Sequence, residues 1–491
     1  VILSDIVDVI YSPICRGIGQ ELSQGLDNGD GNGTAADGQL HVDEIDSRNT
    51  ICPHVRLLKD FGTGNLNSLT AVGNTLYFRA IDGTNGAELW KSDGTVSGTV
   101  MVKDIYSGSG SSSPTSLTVI GNTLYFRATD GTNGDELWKS DGTANGTMMV
   151  KNIRSGSSSS SPQYLEAVGN TLYFLASDGT HGAELWKSDG TANGTMMVKD
   201  INNGSSSGYP TKLTAVGNTL YFRANDGTSF HELWKSDGTA NGTMMVKDIN
   251  NGSWGSSPSD LTAVGNTLYF TADDGTNGHE LWKSDGTANG TMMVKNIKSG
   301  SGSSLSQYEN SITAAGNTAY FIADDGTNGI ELWQSDGTAN GTMLVKDINN
   351  GSGNGLSYSN DFQSVGNTLY FVGTTLYFGA DDGTNGTELW ESDGTASGTV
   401  LVKDINSGSV SSSPIYFTVI GNTLYFRATD GTNGAELWKS DGTASGTVIV
   451  KDMNSGSGSS SPTSLTVIGN TLYFRGDDGT NGGELWKYDL N

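Results

Sequence analysis

The sequence has 491 residues, of which 34% are hydrophobic, 16% are charged and 70 are glycine. Its formal net charge of -26 at pH 7 would repel the phosphates of nucleic acids and the headgroups of anionic lipids, so we predict neither as a partner, whereas divalent cations are favoured. No run approaches the roughly 20 apolar residues that a membrane-spanning helix needs, so no membrane span is predicted.

Residues 1–12 are the first predicted part, an extended apolar segment interrupted by Asp5 and Asp8. Such a segment can add as a strand to an exposed sheet edge of a neighbouring subunit. The alternative is that it folds onto its own small domain. The chain starts at Val1 rather than at a methionine, which indicates either that a targeting segment has been removed or that the sequence is a fragment. We favour the first and expect a secreted protein.

Residues 13–54 are the second predicted part, a small and loop-rich module that contains both cysteines, Cys15 and Cys52. An even pair of cysteines in such a module predicts a disulfide. On loop-entropy grounds this disulfide would stabilise the module by roughly 3–4 kcal/mol. The alternative is two free, buried thiols in a cytosolic protein.

Residues 55–491 are the third predicted part and consist of one repeated unit. A repeat of nearly fixed length indicates the overall architecture more directly than local sequence patterns do. The triplet Glu-Leu-Trp occurs nine times, 48, 51 or 57 residues apart, with its tryptophan at Trp90, Trp138, Trp186, Trp234, Trp282, Trp333, Trp390, Trp438 and Trp486.

Each unit predicts a four-stranded antiparallel sheet. Turn signals rich in Asn, Asp and Gly separate the strands, and a Ser/Gly linker such as 106–116 crosses to the next unit. Apolar side chains alternate onto both faces, as expected for a sheet that packs between two copies of itself. In the first unit the predicted strands are Leu69 to Val72, Thr75 to Ala80, Glu88 to Asp93 and Thr99 to Ile105.

The two ends of the repeat array predict a closed ring. The stretch "VRLLKDF" at 55–61 resembles the fourth strand of a unit, whereas the last unit ends after "ELWKYDLN" without a fourth strand. If the early strand completes the last sheet, the fold is an all-β propeller of nine four-stranded antiparallel blades. The alternative is an open superhelical stack, which would leave two apolar faces uncovered.

The repeated phrase "ELWKSDGT" is interpreted mainly as structural. Tryptophan supplies a large apolar contact area, and Asp-Gly is a turn former. In "DGTNGAE" the oxygens of Asp82, Asn85 and Glu88 could surround a hard cation, with a plain turn as the alternative. The doubled Leu-Tyr-Phe at 367–380 predicts either a lengthened strand or an additional hairpin, and Trp254 replaces a small residue in a linker.

The repeats resemble the ELWxxDGT repeats of large secreted or surface proteins of bacteria, over residues 55–491. The resemblance implies an extracellular or cell-surface location and no particular activity. The N-terminal part is similar to small bacterial surface modules in which two cysteines bracket an Asp/Gly loop.

An EF-hand-like loop is the template for this module. Asp37 and Glu44 fall on the fifth and twelfth positions of such a loop, but Gly33 and Ala35 stand at the first and third. Further oxygens would have to come from an enlarged loop, so the alternative is an acidic solvated turn. The candidate calcium ligands are Asp27, Asp30, Asn32, Asp37 and Glu44.

No catalytic set is evident, and we predict that the protein is not an enzyme. The five histidines share no recurrent partner, and a single active site would require one copy of the unit to diverge, which the copies hardly do. Two functions remain. The first is an extracellular structural or adhesive protein, a filament subunit whose residues 1–12 bind a neighbouring copy. The second is a carbohydrate-binding propeller with several similar pockets, in which Tyr and Trp hold glycans.

Overall fold

The computed structural model describes residues 55–62, 66–252, 254–306, 312–357, 370–372, 375–480 and 482–490. The described residues form nine antiparallel sheets of four strands each. We number the blades along the chain, and each blade contains four consecutive strands except the last, which takes its outer strand from the other end of the sequence.

The first strand, β1 (Val55–Lys59), precedes all the blades. Blades 1 to 4 are formed, in chain order, by β2 (Asn67–Val72), β3 (Thr75–Ile81), β4 (Ala87–Ser92), β5 (Val100–Lys103); β6 (Thr115–Ile120), β7 (Thr123–Thr129), β8 (Asp135–Ser140), β9 (Met148–Lys151); β10 (Gln163–Val168), β11 (Thr171–Ser177), β12 (Ala183–Ser188), β13 (Met196–Lys199); and β14 (Thr211–Val216), β15 (Thr219–Asn225), β16 (His231–Ser236), β17 (Met244–Lys247).

Blades 5 to 9 follow the same order. Their strands are β18 (Ser259–Val264), β19 (Thr267–Asp273), β20 (His279–Ser284), β21 (Met292–Lys295); β22 (Ile312–Ala315), β23 (Thr318–Asp324), β24 (Ile330–Ser335), β25 (Met343–Lys346); β26 (Tyr370–Val372), β27 (Thr375–Asp381), β28 (Thr387–Ser392), β29 (Val400–Lys403); β30 (Ile415–Ile420), β31 (Thr423–Thr429), β32 (Ala435–Ser440), β33 (Val448–Lys451); and β34 (Thr463–Ile468), β35 (Thr471–Asp477), β36 (Gly483–Asp489).

Apolar packing between neighbouring blades forms the core, as the alternation in the sequence predicts. Phe78 and Trp90 are paired across β3 and β4 and lie on one face, while Tyr77 and Leu89 lie on the other. The first face packs against blade 9 and the second against blade 2. Burial of one Phe or Leu side chain contributes about 1.5–3 kcal/mol. Nine similar apolar clusters, one between each pair of neighbouring blades, therefore hold the ring together.

Polar contacts fix the spacing between blades. Lys91 Nζ donates a hydrogen bond to Gly142 O in blade 2 at 2.8 Å, and Lys103 Nζ donates to Thr147 O at 2.8 Å. Gly142 has φ +88°, and a Cβ there would collide with the hydroxyl of Tyr77. The glycine of Asp-Gly-Thr is therefore required both by the turn and by the neighbouring blade.

The ring closes through β1, which confirms the predicted nine-bladed propeller and excludes the open stack. Strand β1 pairs antiparallel with β36 as the outermost strand of blade 9, with Val55 opposite Tyr488. Lys59 lies 5.1 Å from the centre of the Trp90 ring in blade 1. At the axis, Thr466 Oγ1 donates to Leu69 O at 3.4 Å.

The two faces of the ring carry different loops. In each blade, the turn between the first and second strands and the turn between the third and fourth strands lie on one face of the ring. The loops between second and third strands, such as 82–86, and the linkers between blades, such as 104–114, emerge on the opposite face. We call this second face the linker face. The first strands of neighbouring blades lie side by side around the axis.

The doubled Leu-Tyr-Phe belongs to blade 7. Its first copy contributes β26, which pairs with β27 of the second copy, Tyr370 lying opposite Tyr377. The first copy therefore supplies the inner strand of the blade through a hairpin. Within the described residues, no helix is long and apolar enough to cross a membrane.

Candidate functional site

The glutamate of Glu-Leu-Trp is fully buried in all nine blades and binds the linker. In blade 1, Glu88 Oε2 accepts hydrogen bonds from Ile105 N at 3.0 Å and from Ser112 Oγ at 2.5 Å, and Oε1 accepts one from Ser112 N at 2.9 Å. Burial raises the pKa of Glu88, although these hydrogen bonds oppose the shift. This glutamate therefore anchors the linker to the third strand.

Asp82 and Asn85 form a separate and local network. Asp82 Oδ1 accepts hydrogen bonds from Thr84 N at 2.9 Å and Asn85 N at 2.8 Å, and Oδ2 accepts one from Asn85 Nδ2 at 2.8 Å. Partial burial opposes ionisation of Asp82, but the hydrogen bonds outweigh it and lower the pKa. The structure therefore supports the plain-turn interpretation of "DGTNGAE", and among the described residues no group of three His, Cys, Asp or Glu side chains could hold a metal.

The site predicted in the N-terminal module lies outside the described residues. This applies to the candidate calcium ligands Asp27, Asp30, Asn32, Asp37 and Glu44 and to the candidate disulfide between Cys15 and Cys52. Residues 1–12, on which the filament hypothesis depends, lie outside them too.

Exposed aromatic side chains concentrate on the linker face of blades 3 and 4. Trp254 is 84% exposed, Tyr209 54%, Tyr164 46% and Phe230 42%. Of the Phe, Trp and Tyr side chains that the structure describes, only Tyr106 is also exposed. Tyr164 lies at the start of the inner strand of blade 3, and the other three surround the end of blade 4. We call Tyr209, Phe230 and Trp254 the blade 4 patch.

Backbone contacts bring the three elements of the blade 4 patch together. Tyr209 follows Gly208, whose carbonyl accepts a hydrogen bond from Asn225 N at 2.8 Å. Asn225 pairs with His231, the neighbour of Phe230. On the other side, His231 O accepts a hydrogen bond from Ser257 N at 3.0 Å, which holds the linker of Trp254 against the same loop.

Phe230 and Gly255 both differ from the residues of the repeat at their positions, which are Gly86 and Ser111 in blade 1. In the other eight blades the position of Phe230 is a glycine with positive φ, and Phe230 itself has φ +56°. In blade 1 the equivalent of Gly255 is Ser111, whose hydroxyl accepts a hydrogen bond from Ala87 N at 2.9 Å. In blade 4 a Cβ at position 255 would lie 2.6 Å from His231 N, so the conformation of the linker there requires a glycine.

Phe230 has a backbone conformation that costs free energy in a non-glycine residue. A non-glycine residue held at positive φ costs about 1–3 kcal/mol. The ring of Phe230 remains 42% exposed, so burial offsets only part of this cost. Positive φ at non-glycine residues also recurs in other blades, for example at Ser113 and Ser161, so Phe230 is distinguished by its place in a loop where the other eight blades have glycine.

Polar side chains lie beside the blade 4 patch. Arg223 of β15 pairs with Thr211, two residues after Tyr209, and interacts electrostatically with Tyr164, His231 and His279. Burial, with a smaller contribution from Arg223, lowers the pKa of His231 to about 4. Burial also lowers the pKa of His279. Both imidazoles are therefore neutral at pH 7 and can donate or accept hydrogen bonds.

The copies of the unit hardly diverge in sequence, but blade 4 collects several of their differences. These differences lie at surface positions that only the folded ring places around one loop. Trp254 was identified from the sequence as an exception, whereas Tyr209 and Phe230 were not. A signal for this loop was present in the sequence. Ser229 and Phe230 stand where most other units have Asn-Gly, immediately before His231.

Known proteins add information on the fold alone. No protein-family model and no curated protein matches the sequence. Similar solved structures include the computationally designed Ika8 protein, at 16% identity and TM-score 0.43, covering 88% of this chain and 98% of that chain. Prolyl oligopeptidase B from Galerina marginata is 9% identical with TM-score 0.41, covering 80% of this chain and 51% of that chain. Oligopeptidase B from Leishmania major is 11% identical with TM-score 0.39, covering 77% of this chain and 53% of that chain. This chain spans about half the length of the two peptidases, and no activity is inferred from them.

Proposed function

We propose that this protein is an extracellular carbohydrate-binding propeller that holds a glycan on the blade 4 patch. The observation that supports the proposal is the exposure of Tyr209, Phe230 and Trp254 on three elements around one loop. Exposed aromatic rings leave apolar area in water unless a ligand covers them. Rings with polar groups beside them suit the faces and hydroxyls of a sugar.

The proposal places one principal site on each ring rather than one in each blade. At the position of Phe230 the other blades have glycine, and at the position of Trp254 most have serine or glycine. A side chain of that size offers no platform for a sugar. We therefore expect a stoichiometry near one glycan per chain, which differs from the repeated pockets expected from the sequence.

A glycan array followed by calorimetry tests this proposal. Wild-type protein is expected to bind a subset of glycans, and Trp254→Ala is expected to weaken binding by at least about tenfold because a stacking platform is lost. Val410→Ala is the matched control, since Val410 occupies the equivalent linker position in blade 7 and is 60% exposed. Equal binding by wild type and Trp254→Ala, or the absence of glycan binding, would overturn the proposal.

Self-assembly is a second candidate function, favoured by the position of β1. Because β1 is the outermost strand of blade 9, the residues before Val55 join the ring at its rim. From there, residues 1–12 could add as a strand to the edge of another copy. Calcium in the 13–54 module would reduce repulsion between subunits whose net charge is -26 each.

Deletion of residues 1–12 tests self-assembly separately from glycan binding. Electron microscopy of the wild type is expected to show polymers of rings, and the deletion is expected to leave single rings. Wild-type protein that remains a single ring at all concentrations, with and without calcium, would contradict this candidate function.

A further inference from the structure

One strand position near the axis carries arginine in five blades. Each of these arginines lies on the second strand of its blade and pairs with the first residue of the inner strand. Four blades have other residues there, namely Leu175, Thr271, Ile322 and Gly379. The propeller therefore forms without arginine at this position. The five arginines are Arg79, Arg127, Arg223, Arg427 and Arg475.

The arginines differ in their partners. Arg127 forms an ion pair with Asp135 at 2.5 Å, and Arg427 lies 5.1 Å from the centre of the Tyr416 ring. Arg79, Arg223 and Arg475 each have a buried Nε without a hydrogen-bond partner among the described residues. In blade 4 the position of Asp135 is occupied by His231, which cannot neutralise a guanidinium.

Arg223 alone among these three lies beside the blade 4 patch. It pairs with Thr211, which follows Tyr209 by two residues, and with Leu233, which follows His231 by two residues. The guanidinium keeps its charge at neutral pH, and its imidazole neighbours are uncharged. A partly buried cation without an anionic partner is unfavourable, and it is unexpected in a chain whose net charge is -26.

We propose that Arg223 binds an acidic group of the glycan, so that the ligand of the blade 4 patch is an anionic saccharide. This inference rests on the function proposed above. A guanidinium binds a carboxylate or a sulfate through two parallel hydrogen bonds. The acidic group is therefore the carboxylate of a uronic acid or a sulfate ester on the sugar, and the aromatic rings hold the adjoining sugar faces.

Matched acidic and neutral glycans test the inference. The probes are oligogalacturonate with its methyl ester, and dextran sulfate with dextran. Wild-type protein is expected to bind at least one acidic member at least about tenfold more tightly than its neutral partner, and Arg223→Gln is expected to remove that preference. Arg79→Gln is the control, because Arg79 also lacks a partner for Nε but lies in blade 1, and its binding should equal that of wild type.

The outcomes separate the two proposals. The oligogalacturonate and dextran sulfate arms distinguish a carboxylate from a sulfate. Equal binding of acidic and neutral members, or an unchanged preference in Arg223→Gln, would overturn the acidic class while the glycan-binding function stands. The absence of binding to these probes and to every glycan of an array would overturn both. Melting temperatures of Arg223→Gln and Arg79→Gln that match wild type show that both variants are folded.

Discussion

Blades 2 and 4 share one interior and differ at one surface. In both blades the glutamate of Glu-Leu-Trp is fully buried and accepts hydrogen bonds from the linker. This residue is Glu136 in blade 2 and Glu232 in blade 4. On the linker face, blade 2 has Gly134 and an ion pair between Arg127 and Asp135. Blade 4 has an exposed, strained Phe230 instead, and an arginine without that ion pair. The two blades thus keep the same buried glutamate contacts and differ most visibly in the side chains that they present on the linker face.

Removing the buried glutamate should be equally harmful in both blades. Glu136→Ala leaves Ile153 N and Ser160 N without their acceptor, and Glu232→Ala does the same to Ile249 N and Ser256 N. At about 1–3 kcal/mol for each stranded donor, we expect each variant to lose roughly 2–5 kcal/mol of unfolding free energy, measured in urea. Val96→Ala, at a side chain that is 67% exposed, should be neutral. Losses that differ strongly between the two blades would show that their interiors are not equivalent.

Titration should sharpen the comparison, because the buried glutamates and His231 respond to pH in opposite directions. Burial raises the pKa of Glu184, Glu280, Glu331 and Glu484 from 4.5 to about 7. A folded-state pKa above the unfolded value contributes stability that is fully present below pH 4.5 and is lost as pH rises through about 7. We therefore expect the melting temperature to fall between pH 5 and pH 8.

His231 provides the opposing contribution in blade 4. Its folded-state pKa of about 4 lies below the usual 6.5, so protonation destabilises the fold as pH falls from 6.5 towards 4. Burial also lowers the pKa of His279, so two histidines act against nine glutamates, and the net slope should follow the glutamates. Glu184→Gln should flatten the slope and His231→Ala should steepen it. A melting temperature that rises from pH 5 to pH 8 would contradict the assignment.

The repeat count and the early strand were sufficient to predict the nine blades and their closure. The fourth strand was predicted from Thr99 to Ile105 but extends only over Val100–Lys103. The reason is that Thr99 bonds within the preceding turn and Ile105 N donates to Glu88. The role of Glu88 could not be predicted, because its donors lie 17 to 24 residues later and meet it only when the linker folds back.

The candidate site was less accessible from the sequence. Trp254 stands out in the sequence against the small residues around it. Tyr209 and Phe230 are recognised as parts of a site only when the fold places them around one loop. Phe230 and Gly255 are 25 residues apart in sequence. That Arg223 has no ion-pair partner among the described residues is recognised only by comparison with the ion pair of Arg127. Local pattern therefore predicted the scaffold, whereas the site depends on tertiary contacts.

Restoring the repeat glycine at position 230 should raise stability and abolish binding. The variant Phe230→Gly gives this position, where φ is +56°, the residue that the other eight blades have, and leaves Gly255, whose own φ of +65° would strain a serine, unchanged. We expect a gain of about 1–2 kcal/mol in unfolding free energy together with loss of glycan binding. Urea unfolding and the glycan array measure the two effects. Unchanged binding would remove Phe230 from the site, and a loss of stability would show that its conformation is not strained.

Giving blade 4 the ion pair of blade 2 is the smallest and most selective change. In His231→Asp the new carboxylate occupies the position from which Asp135 binds Arg127 at 2.5 Å, so it should pair with Arg223. A partly exposed pair contributes at most about 1 kcal/mol, so the melting temperature should change little and should become more sensitive to salt. The guanidinium would then be occupied, and the preference for acidic over neutral glycans should disappear while aromatic stacking on Trp254 persists. If His231→Asp still selects acidic glycans as the wild type does, Arg223 is not the group that recognises the charge.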